Sequence, residues 1–335
     1  MYADDIIILA KTEKGLQSAL NSLGDYCQKW KFQINFDKSK VMIFQKRKKS
    51  HNCNFSLLNT NLSVTNEYKY LGIYITDTGK LMIDHLINKA RKAMFAIRKR
   101  IYDIQLLPKI QIDLFKTLAM PIILYASEVW GSGIIGPRCR TLTSIFRKFD
   151  KLKLEKLYLT FARQILGVNK KTSHCAIRGD LGIFPIGFTI LENILKYFIH
   201  SKQQNGNPPL KEAFELNWRI CDFNCRIVKR ICQLGDFDLP NDKYDIKHMI
   251  SEIRKKCEDE WLNNLMKQSN NKLRTYNKSK NNIRFENYLN DIYNKNHRQA
   301  LTRLRLSSHN LRIETGRYHK KNCYLLPEER VCQGM

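Results

Sequence analysis

The first apolar run of the chain, Ile6-Ile7-Ile8-Leu9, is continuous and β-rich, and it predicts a strand. The spacing then changes to that of a helix. Thr12 stands where an N-cap is wanted, and Leu16, Ala19, Leu20, Leu23, Cys27 and Trp30 recur at helical intervals, so one face of this helix is expected to be buried. Two short strands are predicted at residues 32–35 and 41–44, and an exposed turn at Lys46-Arg47-Lys48-Lys49. An aromatic, β-branched strand at residues 68–75 follows, closed by Asp77-Thr78-Gly79.

From residue 80 the pattern is helical. Ile83, Leu86, Ile87, Ala90, Met94, Ile97 and Ile101 form one stripe. Pro108 is suited to open a second helix and Pro121 to end or kink it. A third helix is predicted at residues 152–166, stopped by Gly167. Residues 203–209 have the composition of a linker, and helices are expected around Trp261 and over residues 283–293. The predicted fold class is α+β: a strand, helix and hairpin block followed by helices.

Charge changes this picture more than any other property of the chain. Lys and Arg number 58 against 31 Asp and Glu, a net charge of +27, which implies a polyanionic partner, nucleic acid before an acidic membrane surface. The excess is uneven. Residues 80–171 hold 19 Lys or Arg against 6 Asp or Glu, with Lys89, Arg91, Lys92, Arg98, Lys99 and Arg100 crowded on the first helix of that stretch. Residues 241–320 hold 18 against 9. The longest apolar run, residues 119–126, is far short of the ~18 residues of a membrane span, so a chain that is nuclear, cytoplasmic or both is expected, neither secreted nor in a membrane.

Ten cysteines without regular spacing read as reduced core thiols. Cys221, Cys225 and Cys232 share a helix face, but no histidine stands near them at ligand spacing. His309, His319, Cys323 and Cys332 match no known tetrahedral zinc pattern. Lys46 to Lys49 reads as a solvated loop, with a nuclear-import patch as the sharper alternative. Tyr2-Ala3-Asp4-Asp5 sits directly before the first predicted strand. Two carboxylates at a strand end are either a solvated turn or hard oxygen ligands for a divalent cation.

Taken in order along the chain, these blocks resemble the polymerase of non-LTR (LINE-like, jockey/RTE-type) retrotransposon reverse transcriptases. Tyr2-Ala3-Asp4-Asp5 is similar to that family's palm motif. Ile34-Asn35 with Lys38, Ser39, Lys40, Val41, Met42 and Phe44 is similar to its short strand pair, and Tyr68-Lys69-Tyr70-Leu71-Gly72-Ile73 to its primer-grip hairpin. Leu124-Tyr125-Ala126, Glu128 and Trp130 resemble its thumb, followed in the same order as in the family by Ile165-Leu166-Gly167 and Leu181-Gly182 with Pro185. Glu328-Glu329-Arg330-Val331-Cys332 resembles the start of its zinc-knuckle region.

The resemblance implies a partial palm at residues 1–79, a basic helical thumb at 80–171, and a helical connecting region at 172–335 that stops inside the knuckle, with Cys332 an orphan ligand and no zinc held. It implies Asp4 and Asp5 as catalytic ligands of Mg²⁺, Tyr2, Leu71 and Gly72 at the nucleotide and primer end, and an RNA template with a DNA primer, or an RNA–DNA duplex, as partner. In the intact family two Mg²⁺ ions serve nucleotidyl transfer and a third carboxylate comes from an earlier palm strand. A chain beginning inside the palm is therefore expected to bind Mg²⁺ weakly or not at all, to be inactive alone, and to self-associate through an uncovered palm edge. The alternative is a non-catalytic nucleic-acid-binding protein derived from such an element.

Overall fold

The computed structural model describes residues 4–44, 53–78, 81–134, 139–204, 206, 208–221, 223–266, 273 and 276–311. The architecture is α+β, and the chain divides into two compact units, Met1–Asp84 and His85–Met335.

In the first unit, helix α1 spans Glu13–Trp30. Its start is the expected one, since the Thr12 side chain accepts from the Gly15 N–H. It ends at Lys31, whose left-handed backbone (φ 56°) lets its N–H reach the carbonyls of Cys27 and Gln28. Strands β1 (Phe55–Leu57) and β2 (Thr60–Leu62) pair antiparallel through a two-residue turn in which Leu58 and Asn59 both have positive φ. The Gln17 amide reads the backbone of β1: Nε2 donates to the Ser56 carbonyl at 2.8 Å and Oε1 accepts from its N–H at 3.0 Å. Leu20 of α1 joins Val41, Phe55, Leu57 and Leu62 in the core.

Several expectations for this unit are corrected. Residues 6–9 join no ladder among the described residues. A strand is stabilised by its neighbour's hydrogen bonds, and here Ile6, Ile7 and Leu9 are exposed while Ile8 alone packs on the core. Residues 32–35 and 41–44 are not strands either. Val41 makes one parallel bridge to Val64, its N–H on the Ser63 carbonyl and its carbonyl accepting from Thr65. Trp30, expected to be buried, is exposed. The single strand read at 68–75 is two strands, β3 (Glu67–Tyr70) and β4 (Ile73–Thr76), because Leu71 (φ 45°) and Gly72 (φ 84°) form a hairpin turn between them, as the family resemblance implied. Strand β5 (Leu81–Met82) adds a third member.

In the second unit α2 (Asp84–Ile104) carries the predicted stripe, with Leu86, Ile87, Ala90, Met94 and Ile97 buried. Pro108 opens α3 (Pro108–Leu114). The helix passes Pro121 rather than ending there: a π-helical turn, Phe115–Ala119, lets α4 (Met120–Leu124) start with the proline in its first turn, where no N–H is needed. At Tyr125 the chain bends by 60° into α5 (Ser127–Trp130) and a 3₁₀ turn, Gly131–Gly133. Among the described residues no single helix is long and apolar enough to cross a bilayer.

Helix α6 (Leu142–Lys151), which the periodicity reading passed over, is opened by a Thr141–Ser144 capping box. Helix α7 (Lys153–Leu166) ends at Gly167 (φ 65°), as expected. Helices α8 (His174–Leu181), α9 (Gly187–Lys202), α10 (Pro208–Ile220), α11 (Phe223–Gly235) and α12 (Lys243–Met266) follow, and residues 203–207 lie between α9 and α10. The expected helix over 283–293 shrinks to α14 (Tyr288–Asp291), preceded by the short α13 (Tyr276–Ser279) and followed by α15 (Lys295–Arg305).

Two buried carboxylates organise this unit. Glu155 on α7 is fully buried, accepting from Arg178 at 2.7 Å and from the Ile186 N–H at 2.8 Å. Asp180 on α8, equally buried, accepts from the hydroxyls of Tyr276 at 2.9 Å and Tyr288 at 2.7 Å, with Arg305 at 3.5 Å. Its own carbonyl takes the Glu286 N–H at 2.9 Å. Residues 276–305 are thereby fastened to α8. Glu286 pairs with Arg305 at 3.0 Å and with the buried Lys280, which also donates to the Arg284 carbonyl.

The fit beside Asp180 leaves no room for a side chain at Gly182 (φ 61°), where a Cβ would lie 2.4 Å from the Phe285 backbone nitrogen. Gly182→Ala is therefore expected to lower unfolding free energy by at least about 2 kcal/mol in urea titration, through left-handed strain plus displacement of the 284–286 backbone. Burial pushes the Asp180 carboxyl above the usual carboxylate range, against the lowering by Tyr288, Arg305 and Tyr276. The folded state then holds this proton more tightly than the unfolded chain. The group's stabilising contribution is complete below about pH 4 and is lost as pH rises through the raised folded value. The stability difference between wild type and Asp180→Asn should accordingly shrink from pH 4 to pH 7, and a difference that grows with pH would contradict this.

Candidate functional site

The sequence-predicted site residues fall into three groups. Asp4 and Asp5 are both exposed at the start of the described chain. Among the described residues no three His, Cys, Asp or Glu side chains converge to hold a metal ion. Mg²⁺ needs near-octahedral oxygen geometry, and two neighbouring surface carboxylates without a third acidic partner do not supply it. The donor set of the described residues does not fit a two-ion centre. Tyr2 and Cys332 lie outside the described residues, as do His319, Cys323 and Lys46 to Lys49.

Leu71 and Gly72 form the tip of the β3–β4 hairpin, with the Leu71 side chain exposed. At the base of this hairpin lies an open depression of about 490 Å³, lined among others by Lys38, Lys40, Tyr68 and Lys69, with Asp37 and Glu67 as counter-charges. The Tyr68 hydroxyl donates to the Lys38 carbonyl at 2.9 Å, tying the hairpin to the loop after α1. The basic side chains of this loop therefore come beside the hairpin although some thirty positions separate them in sequence.

The third group is on α2. Lys89, Arg91, Lys92, Arg98, Lys99 and Arg100 are all exposed, while the stripe from Leu86 to Ile97 is buried. At ~100° per residue, Lys92 and Lys99 project opposite the buried stripe, Arg91 and Arg98 to one side of them, Lys89 and Arg100 to the other. No acidic residue lies between Asp84 and Asp103 in the sequence, and Arg91 donates to Asn88 Oδ1 at 3.1 Å. The six cations occupy ~16 Å of helix axis. A duplex presents about ten phosphate charges over that length.

The residues of the resembling thumb blocks meet as a turn: Ala126 takes a left-handed backbone (φ 52°), and Trp130 Nε1 donates to the Tyr125 carbonyl at 2.7 Å. Their role is structural, as is that of Asn224, which donates to the Glu128 carbonyl at 2.6 Å. The cysteines among the described residues are free, but Cys221, expected as a core thiol on one helix face with Cys225 and Cys232, is exposed between α10 and α11 with a left-handed backbone (φ 51°). Burial raises Cys225 and Cys232 above the usual thiol range and Cys175 and Cys257 to about 12. Sequence reasoning missed Asp180, Tyr276, Tyr288 and Arg305, whose only sequence signal was an acidic residue inside the apolar stretch of α8. It did not single out Lys247, Arg254 and Lys255 either, which share one side of α12 within the broadly basic stretch 241–320.

Residues 1–75 match the family described as reverse transcriptase (RNA-dependent DNA polymerase). Among curated proteins, a transposon-derived protein of Caenorhabditis elegans is 30% identical over 131 residues, 38% of this chain and 47% of the relative. The RNA-directed DNA polymerase from the mobile element jockey of Drosophila funebris is 27% identical over 207 residues, 58% of this chain and 21% of the relative. The chain thus spans less than half the length of either relative. No solved structure matches it significantly. Residues 1–75 are thus similar to reverse transcriptases, and the longer matches are to proteins of transposons and mobile elements.

Proposed function

We propose that this chain binds the sugar–phosphate backbone of a template–primer duplex through α2 and does not by itself carry out nucleotidyl transfer. The observation that carries this reading is the six-cation face of α2, exposed and uninterrupted by any acidic residue between Lys89 and Arg100, set by the burial of the opposite stripe. Backbone contacts of this kind hold a duplex without reading its sequence. Leu71 and Gly72 at the hairpin tip would place the primer end, and the lysines beside the hairpin would favour its phosphates. The exposed apolar side chains at Ile6, Ile7 and Leu9 support self-association through that stretch. Asp4 and Asp5 would be metal ligands only in company with a third carboxylate.

Replacing Lys89, Arg91, Lys92, Arg98, Lys99 and Arg100 by Gln is expected to reduce the log–log salt slope of RNA–DNA duplex binding by roughly five, at about 0.9 per lost phosphate contact. A control with Arg140, Lys151, Lys153, Lys156, Lys170 and Lys171 replaced removes the same charge from other exposed positions. Equal losses from the two sets would reduce the proposal to diffuse charge. In a separate assay, the purified chain with Mg²⁺, RNA template and DNA primer should give no extension product. Robust extension abolished by Asp4→Asn would refute that part of the proposal.

A further inference from the structure

Helix α12 places Lys247, Ser251, Arg254 and Glu258 in one row, at intervals of four, three and four residues, along the edge of its buried stripe, with Ile250 and Trp261 beside them. Lys255 flanks this row. Together with Phe184, these side chains line an open cavity of about 530 Å³, large enough for a phosphate with its sugar. The cavity is cationic on balance. Its acids are Glu192 and Glu258, and Glu258 is already engaged by the Ile283 N–H. Glu192 pairs with Lys196 at 2.7 Å and meets Arg254 only at 4.0 Å.

Arg254 is held from the other side by Phe184, its guanidinium 5.8 Å from the ring centroid, while its Nε is buried with no hydrogen-bond partner. A buried donor without an acceptor is costly, and an anionic oxygen satisfies it.

We propose that Lys247, Arg254 and Lys255 form a second backbone-binding surface, in which α12 holds phosphates of a nucleic-acid strand in addition to those held by α2. This deepens the nucleic-acid reading above and rests on it for the class of ligand.

The test uses the full chain and a fluorescein-labelled 20-mer RNA, alone and annealed to DNA. Lys247→Gln, Arg254→Gln and Lys255→Gln combined should lower the salt slope by about two for the single strand, at roughly 0.7 per contact, while Lys151, Lys153 and Lys156 changed to Gln should do far less. Because loss of Arg254 can perturb folding, lysine acetylation of the wild-type chain provides a second readout. Saturating RNA should protect Lys247 and Lys255 at least fivefold relative to Lys151 and Lys156. Undiminished RNA binding with those two lysines acetylated equally in the presence and absence of RNA overturns this surface and leaves α2 untouched. Retained protection in a chain whose α2 substitutions have no effect on binding overturns the α2 reading and leaves this surface standing. A chain that binds no RNA overturns both.

Discussion

The second unit depends on the carboxylate of Asp180. A buried charge is tolerated only when its oxygens are supplied with donors, and here every donor side chain comes from the segment 276–305: Tyr276, Tyr288 and Arg305. The need of one acid on α8 therefore selects the position of residues more than ninety positions downstream. Burial raises both tyrosine hydroxyls far above their usual range, with the Asp180 charge adding to the effect, so they stay protonated as donors. Glu155 does the same work between α7, Arg178 and the start of α9, and Arg178 also reaches Asp150 at 2.6 Å. These two acids account for the order of helices that apolar periodicity alone leaves open, since any amphipathic helix buries its stripe against any other.

The same logic explains where the positive charge goes. Two of the unit's acids, Glu155 and Asp180, are buried and spent on internal partners, and the surface keeps an excess of Lys and Arg. On α2 this produces a face that is basic because the opposite stripe is buried. Around Arg254 it produces a row of cations along one side of α12. A phosphate backbone is the ligand whose chemistry suits both, as it meets dispersed cations with dispersed charge and asks for little geometric precision.

Much of this was legible in the residues, and what was not failed for identifiable reasons. Thr12, Pro108 and Gly167 marked helix ends because caps and stops act locally. The α2 stripe was legible because it repeats over several turns. The strand at residues 6–9 was misread because β-propensity describes a side chain's fit to a sheet, and whether a partner strand lies alongside is not written in the run itself. The hairpin was mistaken for one strand by its hydrophobicity, though Leu71-Gly72 carried the turn signal and the family resemblance caught it. Helix α6 was missed despite Thr141, Ser144 and the spacing of Leu142, Ile145, Phe146 and Phe149. The Asp180 cluster could not have been read locally, since its members are separated by about a hundred positions and its tyrosines look like ordinary aromatic core.

The contrast between Asp4-Asp5 and the basic surfaces follows from how each kind of site tolerates incompleteness. A two-ion centre requires several oxygens at about 2 Å from each metal, so a pair of exposed neighbouring carboxylates retains little of its affinity or its geometry. A phosphate-binding face sums many weak, long-range terms, and each lysine contributes nearly independently of the others. Incompleteness therefore weighs differently on the two, since a metal centre depends on a few atoms whose mutual placement must be right, whereas the basic faces of α2 and α12 are properties of whole helices of the second unit.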